Sequence, residues 1–240
     1  MHLIMPMGGA GSRFSFSVPK PLIMLQGRPF FYWATQSITN FMKPLDITFV
    51  VLREHLEKFS IDAEIHKFYP NAKIVTIPRV LNGAVLTCLE GVKSINDTSP
   101  LLFNDCDHMF ICKSFYDFMN NDANKQEIDG ALLTFNSNDP KYSFLECDDN
   151  RVIRTVEKEA VSNKAICGAY YFKNKDIFKT YAEKYLDECS YSEYFISGIY
   201  NTMIKENKIL SYFETDIHIP FGVPEEFESA KTDERLKQVC

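Results

Sequence analysis

Met7-Gly8-Gly9-Ala10-Gly11-Ser12-Arg13-Phe14, running on to Val18-Pro19-Lys20-Pro21, follows directly on the apolar run Leu3-Ile4-Met5. The run predicts a first strand, and the stretch after it predicts a phosphate-binding loop. Closely spaced glycines let backbone amides approach an anion with no side chain in the way. Successive N–H groups in such a loop form an anion-binding nest. Arg13 adds a planar fork for phosphate. Lys20 adds a point charge on a backbone stiffened by a proline on either side. The stretch lacks the Gly-Lys-Ser/Thr ending of a P-loop, and its glycines do not fit G-x-G-x-x-G. The plainer alternative is a glycine turn with surface charges; the coincidence of Arg13 with Pro19-Lys20-Pro21 argues against it.

Outward from this loop, the chain alternates strand and helix as far as about Phe110. Gln26-Gly27-Arg28-Pro29 is a turn signal, with Pro29 at a helix start. Phe31, Ala34, Ile38 and Phe41 recur near helical spacing, so residues 30–41 predict a first helix, with Trp33 in the core rather than stacked on a base. Ile47 to Leu52 is a continuous apolar run, as in a strand buried on both faces of a parallel sheet. Residues 53–69 read as helical and Lys73 to Ile77 as a strand. Asn82-Gly83 open a helix carrying Val85, Leu86, Leu89 and Val92, and Leu101-Leu102-Phe103 form a fourth strand. This rhythm predicts βαβ units. In such sheets ligands bind at the carboxyl ends of the strands, so the first loop and Asn104-Asp105-Cys106-Asp107-His108 share one edge. The second half predicts a strand at residues 130–135, a hairpin over 143–156 with an acidic turn, and a strand at 162–172. Helices follow at 174–187 and 191–206, the latter capped by Ser190 with Glu193 at its third position. Strands at 209–213 and 216–220 precede a polar C-terminal helix that packs on the sheet or joins a homo-oligomer contact.

The 240 residues, 45% hydrophobic and 14% aromatic, suffice for one α/β domain with a substantial core. The net charge of −6 comes without a basic cluster that would mark a nucleic-acid footprint. No apolar run reaches the length of a membrane span, and no leader pattern precedes the first strand. The seven cysteines show neither C-x-x-C nor metal-ligand spacing and read as reduced core residues of a cytoplasmic protein.

The pattern G-G-x-G-x-R…P-K-P over Gly8–Pro21 resembles the signature of the nucleotidylyltransferase family, whose members make nucleotide-sugars and CDP-alcohols. The resemblance implies a Rossmann-like, GT-A-like domain with a mixed, mainly parallel sheet and a small β-hairpin and helical extension on the acceptor side. Residues 1–110 would form the NTP-binding half and 111–240 the acceptor half. It implies transfer of a nucleotidyl group from an NTP to a phosphorylated acceptor, with Mg²⁺ as cofactor and pyrophosphate as product. Met7, Gly8, Gly9, Ala10, Gly11 and Ser12 would hold the nucleotide, and Arg13 and Lys20 would be the catalytic cations. Asp107 matches the strand-end metal ligand, with Asp105 the second choice. Glu157-Lys158 and Gly168 match the acceptor contacts, although Glu157-Lys158-Glu159 departs from the commoner Glu-Lys-Pro. Phe221 to Phe227 resembles the ending D-x-G-T-P-E-D/E-hydrophobic, but the Asp that often serves as second metal ligand falls on Pro220. Asp216 and His218 share its face of the strand, and Asp216 is favoured as the replacement.

Substrate choice is less marked. Leu86 stands near where the thymidylyltransferases carry a Gln, which leaves the backbone around Asn82 and Gly83 to read the base. Phe195 stands where the hexose-specific enzymes carry a Glu, and Glu193 reads as a capping residue. A pyrimidine nucleotide is expected, CTP ahead of UTP or dTTP, in bacterial capsule or lipopolysaccharide synthesis. The acceptor is a sugar 1-phosphate or a phosphorylated small molecule such as phosphocholine. A glycosyltransferase of similar architecture is the nearest rival, since Asp105-Cys106-Asp107 reads as D-x-D; a non-catalytic nucleotide-binding module is the other.

Overall fold

The computed structural model describes residues 1–9, 11, 14, 16–121, 127–148 and 151–239. β1 (His2–Met7) is the organising strand. It pairs in parallel with β4 (Asp46–Leu52) on one side and with β6 (Leu101–Asn104) on the other. β5 (Lys73–Ile77) adds in parallel beyond β4. The chain first builds outward from β1 to β4 and β5, then returns to place β6 on the opposite flank. The strand order therefore reverses between β1 and β6, and a crevice opens at the carboxyl ends of strands that diverge in this way.

The sheet continues past β6 with a change of direction. β11 (Lys164–Phe172) pairs antiparallel with β6. β8 (Gly130–Asn136) and the hairpin of β9 (Ser143–Asp148) and β10 (Arg151–Glu157) join β11 antiparallel, and β12 (Leu210–Glu214) runs parallel to β8. Among the described residues this makes a nine-stranded mixed sheet running through both halves of the chain. β7 (His108–Ile111) and β13 (Ile217–Pro220) form a separate antiparallel pair. The short strands β2 (Met24–Leu25) and β3 (Arg28–Pro29) make the turn that delivers the chain to α1 (Phe30–Thr39).

Alternation along each strand supplies two cores. Leu3, Met5, Met7, Phe49, Val51 and Leu102 pack to one face, against α1 and α5 (Lys113–Asn120). Ile4, Val50, Leu52, Leu101 and Phe103 pack to the other, against α4 (Ala84–Gly91), α6 (Lys175–Glu188) and α7 (Ile196–Lys205). Both faces are covered, which is why Ile47 to Leu52 reads as an unbroken apolar run. Trp33 lies in the core, its Nε1 donating to the Leu25 carbonyl at 2.8 Å. The helical stretch after β4 is α2 (Arg53–Phe59) and α3 (Ile61–Phe68), broken at Ser60, whose φ is +49°. The C-terminal segment is α8 (Pro224–Ala230) and a 3₁₀ turn over Glu234–Val239, with Leu236 and Val239 buried beside α1. The Asp149-Asn150 turn of the hairpin lies outside the described residues. Among those described, no helix is long and apolar enough to cross a membrane, and six cysteines are free thiols, four of them buried.

At the far end of the parallel strands, away from the crevice, His2 Nδ1 meets Asp46 at 2.6 Å and its Nε2 meets Asp97 at 3.0 Å, while Lys73 pairs with Asp46. Burial raises the Asp46 carboxyl, but hydrogen bonds from Lys73 and His2 outweigh it and hold the group below its ordinary value. A depressed acid stabilises the fold above its unfolded value and loses that contribution as pH falls through the folded one. Asp46→Asn is thus expected to cost about 1–2 kcal/mol at pH 7. The deficit shrinks below about pH 4, where the wild-type side chain also gains a proton. Urea unfolding at pH 7 and pH 3 reads this; an equal deficit at both values contradicts it.

Candidate active site

The glycine loop leaves β1 and the Asp105–Asp107 turn leaves β6, so both open onto the crevice where the strand order reverses. A cavity of about 390 Å³ lies there, lined by Met7, Gly8, Gly9, Gly11, Lys20 and Leu81, among others. Lys20 begins a 3₁₀ turn over Lys20–Leu22, in which Leu22 N donates to Pro19 O and Ile23 N to Lys20 O. Phe14 packs edge-on against Phe30 of α1 and Phe227 of α8.

The far wall of this cavity is Val80, Leu81, Gly83 and Ala84 together with Glu193. Here the chain crosses itself. Val85 N donates to Tyr194 O at 3.2 Å, and Tyr194 N donates to Asn82 O at 3.4 Å. Between these bonds Gly83 has φ +99°, and a Cβ on it would collide with the Tyr194 backbone. Gly83→Ala is expected to destabilise the fold by about 2–4 kcal/mol, the sum of a strained backbone and an overpacked contact. Thermal unfolding checks it, and an unchanged melting temperature contradicts the tight crossing.

Lys20 Nζ forms an ion pair with Asp107 Oδ2. Burial works against the ammonium, but Asp107, with Asp105 further off, raises its pKa above the ordinary lysine value. Asp105 is pushed the other way for a carboxylate. Burial, the neighbouring Asp107 and the more distant Glu157 all raise it, and Lys20 only partly opposes them. Two carboxylates that oppose each other's ionisation favour a bound cation or a shared proton. Among the described residues no three His, Cys, Asp or Glu side chains gather around a metal position. The pair Asp105 and Asp107 suits a cation that takes its remaining oxygens from phosphates and water, as Mg²⁺ does.

A second cavity of about 220 Å³ adjoins the first. Asp105 and Asp107 line both. Its walls include Glu157, Lys158, Gly168, Tyr142, Phe195 and Glu226. Glu157 is fixed by Ser143 Oγ at 2.6 Å and by Ser197 Oγ of α7. Burial raises its carboxyl despite these bonds. Lys158 follows with φ +56°, its N–H donating to Tyr142 O and its Nζ standing 5.3 Å over the Phe195 ring. Gly168 sits where the pairing of β11 with β8 shifts register. Its φ is +96°, and a Cβ there would meet Asp105 Oδ2 at 2.9 Å and His108 Nε2 at 3.3 Å. Glycine at this position keeps open a notch between the carboxylate and the imidazole.

The residues matched are 2–219, and the matching family model is the one described as nucleotidyl transferase. The chain belongs to the nucleotidyl transferase family. Solved structures agree on the fold. The nucleoside-diphosphate-sugar pyrophosphorylase from Vibrio cholerae RC9 superposes with a TM-score of 0.82 at 21% identity, over 96% of this chain and 100% of that one. The inositol-1-phosphate CTP transferase from T. maritima gives 0.77 at 14% identity, over 99% and 94%. A Bacillus anthracis protein described as a glucose-1-phosphate thymidylyltransferase, crystallised with sucrose, gives 0.75 at 19% identity, over 96% and 93%. A sequence search of curated proteins gives no significant match.

Within this nucleotidyl transferase, most residues singled out in the sequence fall on the two cavities. Met7, Gly8, Gly9, Gly11, Lys20 and Gly83 line the first, Glu157, Lys158 and Gly168 the second, and Asp107 both. Ala10, Ser12 and Arg13 lie outside the described residues. Asn82 does not line the cavity; its carbonyl is taken by Tyr194. Asp216 requires correction. It stands at the opposite end of β13 from Pro220, and its Oδ2 accepts from Lys113 N at 2.8 Å, capping α5. Pro220 pairs with His108 beside Asp107, so the second carboxylate at the junction is Asp105. The capping expectation for Glu193 is also corrected: α7 begins at Ile196 with no acid in its first turn, because the bonds at Tyr194 hold that segment outside the helix. Sequence reasoning left out Tyr142 and Lys141, and gave Glu226 no role beyond its place in the Phe221–Phe227 ending. Tyr142 OH and Lys141 Nζ both reach Glu226 Oε1, and Glu226 Oε2 accepts from Gly222 N and Val223 N. The acid three residues into a helix that opens on Pro224 was the available signal.

Proposed function

We propose that the chain is a Mg²⁺-dependent nucleotidylyltransferase, in which a phosphate oxygen of the acceptor attacks the α-phosphorus of an NTP and pyrophosphate leaves. The observation that carries this is the junction. A cavity lined by the glycine loop and one lined by Glu157, Lys158 and Gly168 meet at Asp105 and Asp107, with Lys20 paired to one of them. Chemistry of this kind needs positioning and charge stabilisation more than covalent help from the protein. The amides of Gly8 to Gly11 would hold the β- and γ-phosphates, and Arg13 would take the charge that builds on the departing pyrophosphate. Lys20 would stand between the α-phosphate and the acceptor phosphate, and Lys158 would hold the acceptor phosphate from the other side. Asp105 and Asp107 would hold Mg²⁺, which when bound neutralises phosphate charge.

We further read the nucleotide as a pyrimidine, CTP ahead of UTP and dTTP, and the acceptor as a sugar 1-phosphate or another small phosphorylated molecule for bacterial surface polysaccharide. Leu86 is not part of the cavity wall, while Leu81, Gly83 and Ala84 are, which fits base reading by backbone groups. The likeness to the inositol-1-phosphate CTP transferase of T. maritima is in keeping with CTP. Pyrophosphate release with Mg²⁺, crossing CTP, UTP, dTTP, ATP and GTP against sugar 1-phosphates, inositol 1-phosphate, glycerol 3-phosphate and phosphocholine, tests it. Acceptor-dependent release with CTP supports the full proposal. Release with a purine only overturns the base, and turnover of a nucleotide-sugar without pyrophosphate supports the glycosyltransferase rival.

A further inference from the structure

The second cavity ends on two histidines. His108 opens β7, and His218 lies on β13 opposite Phe110. Their ring centroids are 5.4 Å apart, and both rings line the cavity. His108 stacks on Phe110 and is 3% exposed, while His218 packs on Phe135 with centroids 3.9 Å apart. Aromatic contacts thus hold each ring. All four ring nitrogens are buried, and none has a hydrogen-bond partner among the described residues; the Cys167 carbonyl faces His218 outside hydrogen-bonding geometry. The notch at Gly168 leads to His108 Nε2.

Several of the other polar groups around this cavity are engaged. Glu157 is held by Ser143 and Ser197, Glu226 by Tyr142, Lys141 and two backbone amides, and Asp107 by Lys20. Buried polar atoms find partners in folded proteins almost without exception, and leaving one unmatched is costly. Four unmatched nitrogens on one cavity wall therefore point to a ligand that matches them. A neutral imidazole offers one N–H donor and one bare acceptor nitrogen, so the pair offers two of each.

Taking the acceptor side of the proposed function as given, we infer that His108 and His218 form a paired hydrogen-bonding subsite that selects the phosphorylated acceptor. It takes an acceptor carrying a group that both donates and accepts hydrogen bonds, a hydroxyl or a carboxamide. It rejects a trimethylammonium group, which does neither and leaves the nitrogens unmatched. Lys158, which lines the same cavity, is left for the phosphate.

The full chain tests this with two variants, His108→Phe and His218→Phe. Each keeps a ring of similar size against its aromatic neighbour and removes both nitrogens. With the acceptor and NTP found in the pyrophosphate assay, KM for the acceptor is expected to rise roughly 10- to 100-fold in each variant, as when a site's polar partner is lost. KM for the NTP stays within about twofold. Phosphocholine is expected to turn over least of the acceptors tried. An acceptor KM within about twofold of wild type in both variants, or phosphocholine as the best acceptor, overturns the subsite while the transferase stands. If no NTP and acceptor pair releases pyrophosphate, the transferase itself fails. A second measurement covers variants that do not fold and a silent assay alike: nitrogen-15 NMR of the histidine side chains of the wild type, titrated with inositol 1-phosphate and glycerol 3-phosphate. Shifts of the His108 and His218 ring nitrogens support the subsite, and their constancy with either compound at saturation overturns it.

Discussion

Lys20→Ala is expected to lower turnover by about 10²–10³-fold, the scale seen when a preorganised group that stabilises transition-state charge is removed. The backbone of Lys20 is set by the 3₁₀ turn between Pro19 and Leu22, not by its side chain, so the loop keeps its course without the ammonium. The side chain reaches Asp107 at the junction of the two cavities, where the α-phosphorus would lie in the proposed reaction. Loss of one partner of this half-buried pair is expected to cost about 1–2 kcal/mol, a shift of a few degrees in melting temperature for a chain of this size. The large effect therefore falls on kcat and the small one on the fold. Lys20→Arg is not expected to restore full activity, because a planar guanidinium cannot occupy the place of a compact ammonium. Parallel kcat and thermal-melt measurements read this. Wild-type turnover in Lys20→Ala removes Lys20 from the chemistry.

Asp107→Asn carries the second large effect. The amide matches the carboxylate in shape but has no charge to offer a cation. Metal-assisted charge stabilisation is worth several kcal/mol, so turnover is expected to fall by at least about 10²-fold, with the Mg²⁺ concentration for half-maximal rate moved well upward. Its backbone role survives, since Phe221 N donates to the Asp107 carbonyl and not to its side chain. Rate against Mg²⁺ concentration in wild type and variant reads the effect. An unchanged Mg²⁺ dependence in Asp107→Asn, with the dependence lost in Asp105→Asn, would transfer the principal ligand role to Asp105.

Much of this arrangement was legible in the sequence because it depends on local chemistry. A glycine loop after a first strand, acids after a fourth, and the rule that ligands gather at strand carboxyl ends were enough to bring Gly8, Lys20 and Asp107 together. Asp216 shows where such reasoning stops. Alternation assigned it the face of His218 and Pro220, but alternation says nothing about where a strand begins or which end of it meets the site. That is decided by the antiparallel pairing of β13 with β7, which sets Pro220 beside His108 and carries Asp216 to the start of α5. Glu193 failed for a related reason. Ser190 and Glu193 have the spacing of a helix start, yet hydrogen bonds at Tyr194 to a segment more than a hundred residues earlier keep the chain out of the helix until Ile196. Alternation singled out His218 but not its pairing with His108, because that pairing depends on β7 and β13 meeting outside the main sheet.

The central claim is that the bond broken lies at the α-phosphorus, at the junction marked by Asp105 and Asp107. Incubation with Mg²⁺, a phosphorylated acceptor and CTP carrying radioactive phosphorus at either the α or the γ position tests it most directly. Label from the α position recovered in the coupled product, and label from the γ position recovered in pyrophosphate, is the result predicted. Label from the γ position recovered on the acceptor, or no movement of either label from CTP or any other nucleoside triphosphate, would contradict it.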